Sequence, residues 1–307
     1  MSGVIYEKVA LIGLGLIASS ITHAAKRTGL VGEFTGYARS QETRDTAREL
    51  DLCTVYDTAA EAVEGADLVI LCVPVGAMGS VMKDIAPHLK SGATLSDVGS
   101  VKRAVIEAVE PYVPEDVHFV PAHPLAGTEH SGPRSGFAEL FDNRWNIVVP
   151  ASDYTDRDAV ERLKTFWKGL GALVDEMDAD HHDLVLAVTS HTPHLIAYTM
   201  VGVADDLARV TDTEVVNYSA AGFRDFTRIA ASDPTMWRDV FLTNKDATLE
   251  ILGRFTEELF ALQRAIRTGD GDHLHDYFTR TRSIRRGIIE AGQDTDAPNF
   301  GRGPANT

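Results

Sequence analysis

The run Val9-Ala10-Leu11-Ile12-Gly13-Leu14-Gly15-Leu16-Ile17-Ala18 constrains the chain more than any other stretch. Residues 8–12 read as a buried strand, and a helical pattern follows to about Thr28. Between them lies G-x-G-x-x-A. Gly13 permits the tight turn, Gly15 lets backbone approach a pyrophosphate, and the small Ala18 lets helix and strand pack closely. The helix start at Leu16 and Ile17 then offers unpaired N–H groups and a positive dipole end to an anion. Taken alone the pattern is weak, and a glycine-rich turn without a ligand satisfies it. Placed between a strand and a helix at the start of the chain, it predicts a dinucleotide-binding unit.

A second strand over 33–37 ends at Ala38-Arg39-Ser40. An NAD site usually places an acidic residue here for the ribose hydroxyls. Ala38 lacks that carboxylate, and Arg39 and Ser40 could receive a 2′-phosphate, so NADP or tolerance of both cofactors is expected. The alternative is that Arg39 stacks on adenine or points to water. Residues 66–74 form a wholly apolar run, suited to a parallel strand covered on both faces. It closes at Val73-Pro74, near the cofactor's path. A strand over 92–98 and a helix over 101–109 follow. Ser100 reads either as that helix's N-cap or as a hydroxyl offered to a ligand. His118-Phe119-Val120-Pro121 leads into His123, at what reads as a strand's carboxyl end. A strand over 146–150, a helix near 155–170 and a strand over 173–176 complete an alternating α/β pattern.

From about Asp178 strand-like runs vanish. Helical stretches are expected near 178–209, 213–231, 235–268 and 271–291. The chain's 307 residues allow two domains. The fold expected is α/β, a Rossmann-like doubly wound sheet over 1–177, followed by an all-α substrate and dimerisation domain over 178–291. The tail, 292–307, has an extended or disordered composition. A net charge of −16 argues against nucleic acid or an anionic membrane as partner, though not against a small anion at a locally basic site. No run of eighteen apolar residues suggests a membrane span. With only Cys53 and Cys72, and no signal-peptide pattern, a reducing cytoplasm is expected.

Chemistry concentrates in two later stretches. In Thr189-Ser190-His191-Thr192-Pro193-His194, the histidines are three apart and would share a helix face. Pro193 inside that helix predicts a kink beside them. A metal held by His191, His194 and His123 is disfavoured, because helical zinc sites use a spacing of four and no H-E-x-x-H occurs. In Phe223-Arg224-Asp225-Phe226-Thr227-Arg228, Arg224 and Arg228 are four apart and could hold a carboxylate together, or form a surface ladder with Asp225.

These motifs resemble the prephenate dehydrogenases and their cyclohexadienyl and arogenate dehydrogenase relatives. The resemblance covers roughly residues 8–291, through G-L-G-L-I-A-S-S at 13–20, S-D-V-G-S-V-K at 96–102, H-P-L-A-G-T-E at 123–129, H-H-D at 181–183, T-S-H-T-P-H at 189–194 and F-R-D-F-T-R-I-A at 223–230. It implies a cytoplasmic homodimer that oxidatively decarboxylates prephenate with NAD or NADP in tyrosine biosynthesis. Arogenate is the alternative substrate, and a nucleotide-sensing protein without turnover is the alternative of another class. The resemblance makes His123 the acceptor of the substrate hydroxyl's hydrogen bond, with Ser100 beside it and the nicotinamide. His194 becomes a substrate-side residue supported by His191, and Arg228 the residue binding a substrate carboxylate. Thr128, Glu129 and Asp225 become gating or orienting residues, and Trp237 a wall of the site. No mutase-like segment is expected ahead of residue 8, and the stretch after Ala291 is too short for a regulatory domain. Any tyrosine feedback would then act at the active site.

Overall fold

In the computed structural model, which describes residues 3–151, 155–208 and 220–290, the opening apolar run forms β1 (Tyr6–Ile12) and the glycine turn delivers α1 (Leu16–Thr28). The strands β2 (Val31–Tyr37), β3 (Thr54–Val55), β4 (Leu68–Leu71), β5 (Thr94–Asp97) and β6 (His118–Phe119) pair with it in the order β3-β2-β1-β4-β5-β6. Every pairing is parallel. All four β4 residues are buried, as an unbroken apolar run requires when both sheet faces are covered. One face packs Leu11, Ile21, Phe34 and Trp167; the other packs Ile12, Val69, Met78 and Val105. The strand order reverses between β1 and β4, the crevice where such sheets bind ligands.

The sheet ends sooner than the sequence suggests. Val120 still donates to Leu95, but Pro121 has no N–H to extend the ladder, and Ala122 N–H turns instead to the Asp97 carboxylate at 3.3 Å. The chain then enters a separate three-stranded sheet of β7 (Ala122–Pro124), β8 (Trp145–Val148) and β9 (Leu173–Glu176). Its β7–β8 pair is antiparallel, with His123 opposite Ile147. His123 therefore lies within a strand of a second sheet, not at the carboxyl end of a parallel one.

Beyond α6 (Arg157–Gly169), α7 (Ala179–Leu186) runs into a π-helical segment, Ala187–His191, and then α8 (Thr192–Ala208). Pro193 was expected to kink this helix. The structure widens the turn ahead of it: Thr192 N–H bonds the Ala187 carbonyl five residues back, and the proline enters the next turn where its missing N–H costs less. The span Ala179–Asp206 is long and apolar enough to cross a membrane by length and composition, yet it carries buried His182, Asp183 and His191 bonded to other elements.

After residues outside the described set, α9 (Ala221–Thr227), a 3-10 turn at Arg228–Ala231 and α10 (Pro234–Thr243) follow. A single helix over 235–268 was expected. Asn244, at φ −108° and ψ 42°, instead separates α10 from α11 (Lys245–Thr268), which precedes α12 (Gly271–Glu290). The chain divides into two compact units, Met1–Leu249 and Glu250–Thr307. Residues 213–219 and the tail over 292–307 lie outside the described residues.

Candidate active site

The nucleotide end begins at Gly13, whose φ of +103° suits glycine. A Cβ there would meet the Cys72 carbonyl at 2.7 Å, so β4 also excludes any side chain. Gly15 differs: a Cβ would meet nothing within 4 Å, so protein packing does not demand glycine. It is the N-cap of α1, with no side-chain cap and no acidic residue in the first turn. The helix start at Leu16 and Ile17 thus has its dipole uncompensated beside the open space at Gly15, which fits a pyrophosphate. Ala18 is fully buried against the sheet. Val73 follows β4, and Pro74 is the N-cap of α4 (Val75–Ile85).

At the end of β2, Ala38 is buried and Arg39 exposed. Ser40, expected to receive a phosphate, is already the N-cap of α2 (Gln41–Glu49), accepting from Thr43 N–H. The sequence reading missed Arg44. Its guanidinium braces the turn from behind, donating to the carbonyls of Ala38 at 2.7 Å and Arg39 at 3.1 Å.

The catalytic side is built around β5. Asp97 and Lys102 are both fully buried and paired. Lys102 Nζ also donates to the Ala122 carbonyl at 2.8 Å, while Asp97 accepts from Gly99 N–H at 2.7 Å. Burial pushes the Asp97 carboxyl up and the Lys102 ammonium down, and their mutual contact opposes both shifts. This clasp fixes the residue immediately before His123. Ser100 is not the cap of α5 (Arg103–Val109); the N-cap is Lys102, without a side-chain cap of its own. The capping carboxylate comes from another element. Asp183 accepts from the N–H of Lys102 at 2.7 Å and of Arg103 at 3.0 Å. The Ser100 hydroxyl is thereby left for its other reading.

Asp183 also contacts His182 Nδ1 at 2.8 Å, and His182 Nε2 contacts His123 Nδ1 at 2.9 Å. The bonds from His182 and the two backbone N–H groups hold Asp183 below the usual carboxylate range against its burial, so it is an acceptor. His182 must therefore donate from Nδ1 and accept at Nε2, and His123 must donate from Nδ1. Burial, then the neighbouring His182, Lys102 and His191, push the His123 imidazole well below its ordinary range. Neutral His123 consequently carries its lone pair on Nε2. The motif H-H-D was visible in the sequence, but spacing alone could not show that His182 would reach a strand fifty-nine residues earlier.

His191 is fully buried, and burial lowers it to about 4. Asn244 Nδ2 donates to the Asp183 carbonyl at 2.8 Å and lies 3.0 Å from His191 Nδ1, which must accept. His191 Nε2 therefore carries the proton, and the Ser100 backbone acts on it as an acceptor. His194 donates from Nδ1 to the Ser190 carbonyl at 2.8 Å and stacks on Trp237, ring centroids 3.7 Å apart. Asn244 was not singled out from sequence; its signal is only that it ends a helix.

Arg224 and Arg228 do not act as a pair. Arg224 is exposed on α9, whereas Arg228 opens the 3-10 turn, half-buried, with Nη1 3.0 Å from Glu129 Oε2. Glu129 is held below its ordinary value by its own backbone N–H and by Arg228. Arg228 Nε is buried without a partner among the described residues, as is Trp237 Nε1. Asp225 is half-buried on α9. Thr128 is exposed and caps a local turn, accepting from His130 N–H at 3.2 Å. It also lines a cavity of about 410 Å³ with Leu125, Phe137, Asp142 and Arg144, which reaches neither His123 nor Arg228. The polar cluster, not that cavity, carries the perturbed groups. Among the described residues no group of three His, Cys, Asp or Glu side chains is placed to hold a metal ion.

Two family models match the chain. One, described as prephenate dehydrogenase, nucleotide-binding domain, covers residues 21–176; the other, described as prephenate dehydrogenase, dimerization domain, covers 178–280. A cyclohexadienyl dehydrogenase from Zymomonas mobilis is 42% identical over 92% of this chain and 96% of its own. A prephenate dehydrogenase from Bacillus subtilis is 33% identical over 92% of this chain and 76% of its own. The solved structure of prephenate dehydrogenase from A. aeolicus, in complex with hydroxyphenyl propionate and NAD+, superposes with a TM-score of 0.85 at 30% identity, over 92% of this chain and 98% of that one. Fold, glycine turn and buried histidine cluster define a dinucleotide-dependent dehydrogenase. Within that class, the chain belongs to the prephenate dehydrogenase family.

Proposed function

We propose that this protein oxidatively decarboxylates prephenate to 4-hydroxyphenylpyruvate with NAD+ or NADP+, as a cytoplasmic homodimer. The observation that carries this reading is the state of His123: a neutral imidazole with its Nδ1 proton committed and its Nε2 lone pair free. Such a group accepts a proton from a secondary alcohol as the alcohol is oxidised, a contribution of ~10²–10⁴ in rate. Beside His194 stand two buried N–H donors without acceptors among the described residues, Trp237 Nε1 and Arg228 Nε, which suit an anionic substrate. His194 lies within electrostatic reach of Arg228, which lowers its imidazole after burial does. This links the histidine cluster to the arginine.

In this reading the bound dinucleotide supplies the hydride acceptor, held by α1's N-terminus and the Gly13–Gly15 turn. Ser100 orients the hydroxyl toward His123, and Arg228 holds the substrate carboxylate, exchanging Glu129 for it. Glu129, Asp225 and Thr128 orient or gate the entrance. The domain division is proposed as 1–177 for the nucleotide and 178–291 for substrate and dimer. Arogenate is the second reading, favoured by the 26% identity and TM-score of 0.75 to Synechocystis arogenate dehydrogenase. Rates with prephenate and arogenate, each with NAD+ and NADP+, test both. Reduced cofactor and carbon dioxide forming in equal amounts from prephenate is the expected result; no turnover of either acid overturns the proposal. The missing carboxylate at Ala38 predicts measurable activity with NADP+.

A further inference from the structure

We propose that His182 and Asp183 are positioning residues of a buried relay that fixes the basic nitrogen of His123 and shares the proton His123 takes up. The inference rests on the reading of His123 as the base and deepens it. Four observations support it. The first is continuity: Asp183 Oδ1 to His182 Nδ1 is 2.8 Å, and His182 Nε2 to His123 Nδ1 is 2.9 Å. The rings meet edge-on at 65°, so the contact is nitrogen to nitrogen rather than a stack. The second is rigidity. Two backbone N–H groups at the start of α5 pin Asp183, which leaves its carboxylate one orientation.

The third is charge. His182, Lys102 and His191 all face His123 and all oppose its protonation. Asp97 offsets Lys102, to which it is paired. Asp183 offsets His182 and His191, favouring the charged form of each. Without Asp183, a positive charge arriving at His123 would meet only repulsion from the relay side. The fourth is burial. His182 is fully buried and Asp183 nearly so, which gives the relay no exit to solvent.

Burial suits the chemistry, because the proton is borrowed. As the carbinol C–H bond delivers its electron pair as hydride to the nicotinamide, the hydroxyl proton passes to His123 Nε2. The ring carboxylate then leaves as carbon dioxide, and the pair from its C–C bond enters the ring and ends on the oxygen. That oxygen takes the same proton back from His123. No proton is gained or lost overall, so the relay needs to hold a charge for one turnover rather than to conduct it. His182 and Asp183 hold it by letting the Nδ1 proton of His123 shift toward His182 and that of His182 toward Asp183.

The test uses the full-length enzyme with prephenate and saturating cofactor, across about pH 5 to 9. Asp183→Asn keeps the shape of the carboxylate and removes its charge. We expect kcat to fall about tenfold or more, KM for prephenate to stay within about threefold, and the acid limb of kcat/KM to move to lower pH. His182→Gln, whose side-chain oxygen can still accept from His123, should retain more activity than His182→Leu. A loss of kcat that tracks lost thermal stability with an unmoved limb would overturn the relay, as would a His182→Leu enzyme with native kcat. Histidine ¹⁵N shifts in the unmodified protein judge the relay without turnover. His123 protonated at Nδ1 supports it, and His123 protonated at Nε2 refutes it. Absent turnover by the unmodified enzyme would sink the proposed activity and leave the tautomer result to decide the relay.

Discussion

A carboxylate-binding arginine inside an acidic protein must be kept from binding the protein's own carboxylates too well. Among the described residues Arg228 meets this condition with a single half-exposed partner, Glu129, while its Nε–H stays buried and unpaired. An exposed pair of this kind contributes little, ~0–1 kcal/mol, so a substrate carboxylate displaces it at small cost. Charged hydrogen bonds to the substrate are worth ~1.5–3 kcal/mol, which converts to roughly ten- to hundredfold in affinity. Arg228→Ala should therefore raise the prephenate KM about ten- to hundredfold while the cofactor KM stays put. Steady-state kinetics with each ligand varied in turn check this, and an unchanged substrate KM removes Arg228 from the site. Arg224, which the sequence pairs with Arg228, is exposed and should be replaceable by alanine with little effect.

The site's geometry depends on how β5 hands the chain to β7. Lys102, buried beneath both strands, holds Asp97 and the Ala122 carbonyl and thereby sets where His123 begins. Lys102→Met removes one partner and leaves a buried carboxylate uncompensated, a change that costs ~3–5 kcal/mol. Thermal unfolding should show a fall of many degrees; a loss within a degree or two would mean the clasp is energetically idle. Local pattern carried the sequence reading where the physics is local. The apolar run 66–74 announced a doubly covered strand, and Gly13 announced its turn. It failed where a distant group intervenes. Ser100 looked like a cap because nothing nearby shows that Asp183, some eighty residues on, takes the N–H groups of α5. The π turn ahead of Pro193 went unread because it leaves no mark in a hydrophobic pattern. His182 and Asn244 were silent singly, since each acquires its role only from the partner the fold brings to it.

At the scale of the molecule, the helices that follow the nucleotide domain expose much apolar surface. In the second compact unit Phe255, Leu259, Phe260, Ile266, Phe278, Ile284 and Ile288 are all exposed. Such a face suits a partner surface, and the family model matched there is described as a dimerization domain, so the cover we propose is a second copy of this chain. Sedimentation should give twice the 33.3 kDa chain mass at micromolar protein, and Phe260→Glu should shift the population toward monomer. A monomer of the unmodified protein at that concentration would contradict the homodimer. The central claim, however, concerns one nitrogen atom. His123→Asn keeps a polar side chain on β7 and removes the base, so prephenate-dependent reduction of the cofactor should drop by ~10²-fold or more while cofactor binding, followed by fluorescence titration, is unchanged. A variant that still turns over prephenate at the native rate would contradict the account.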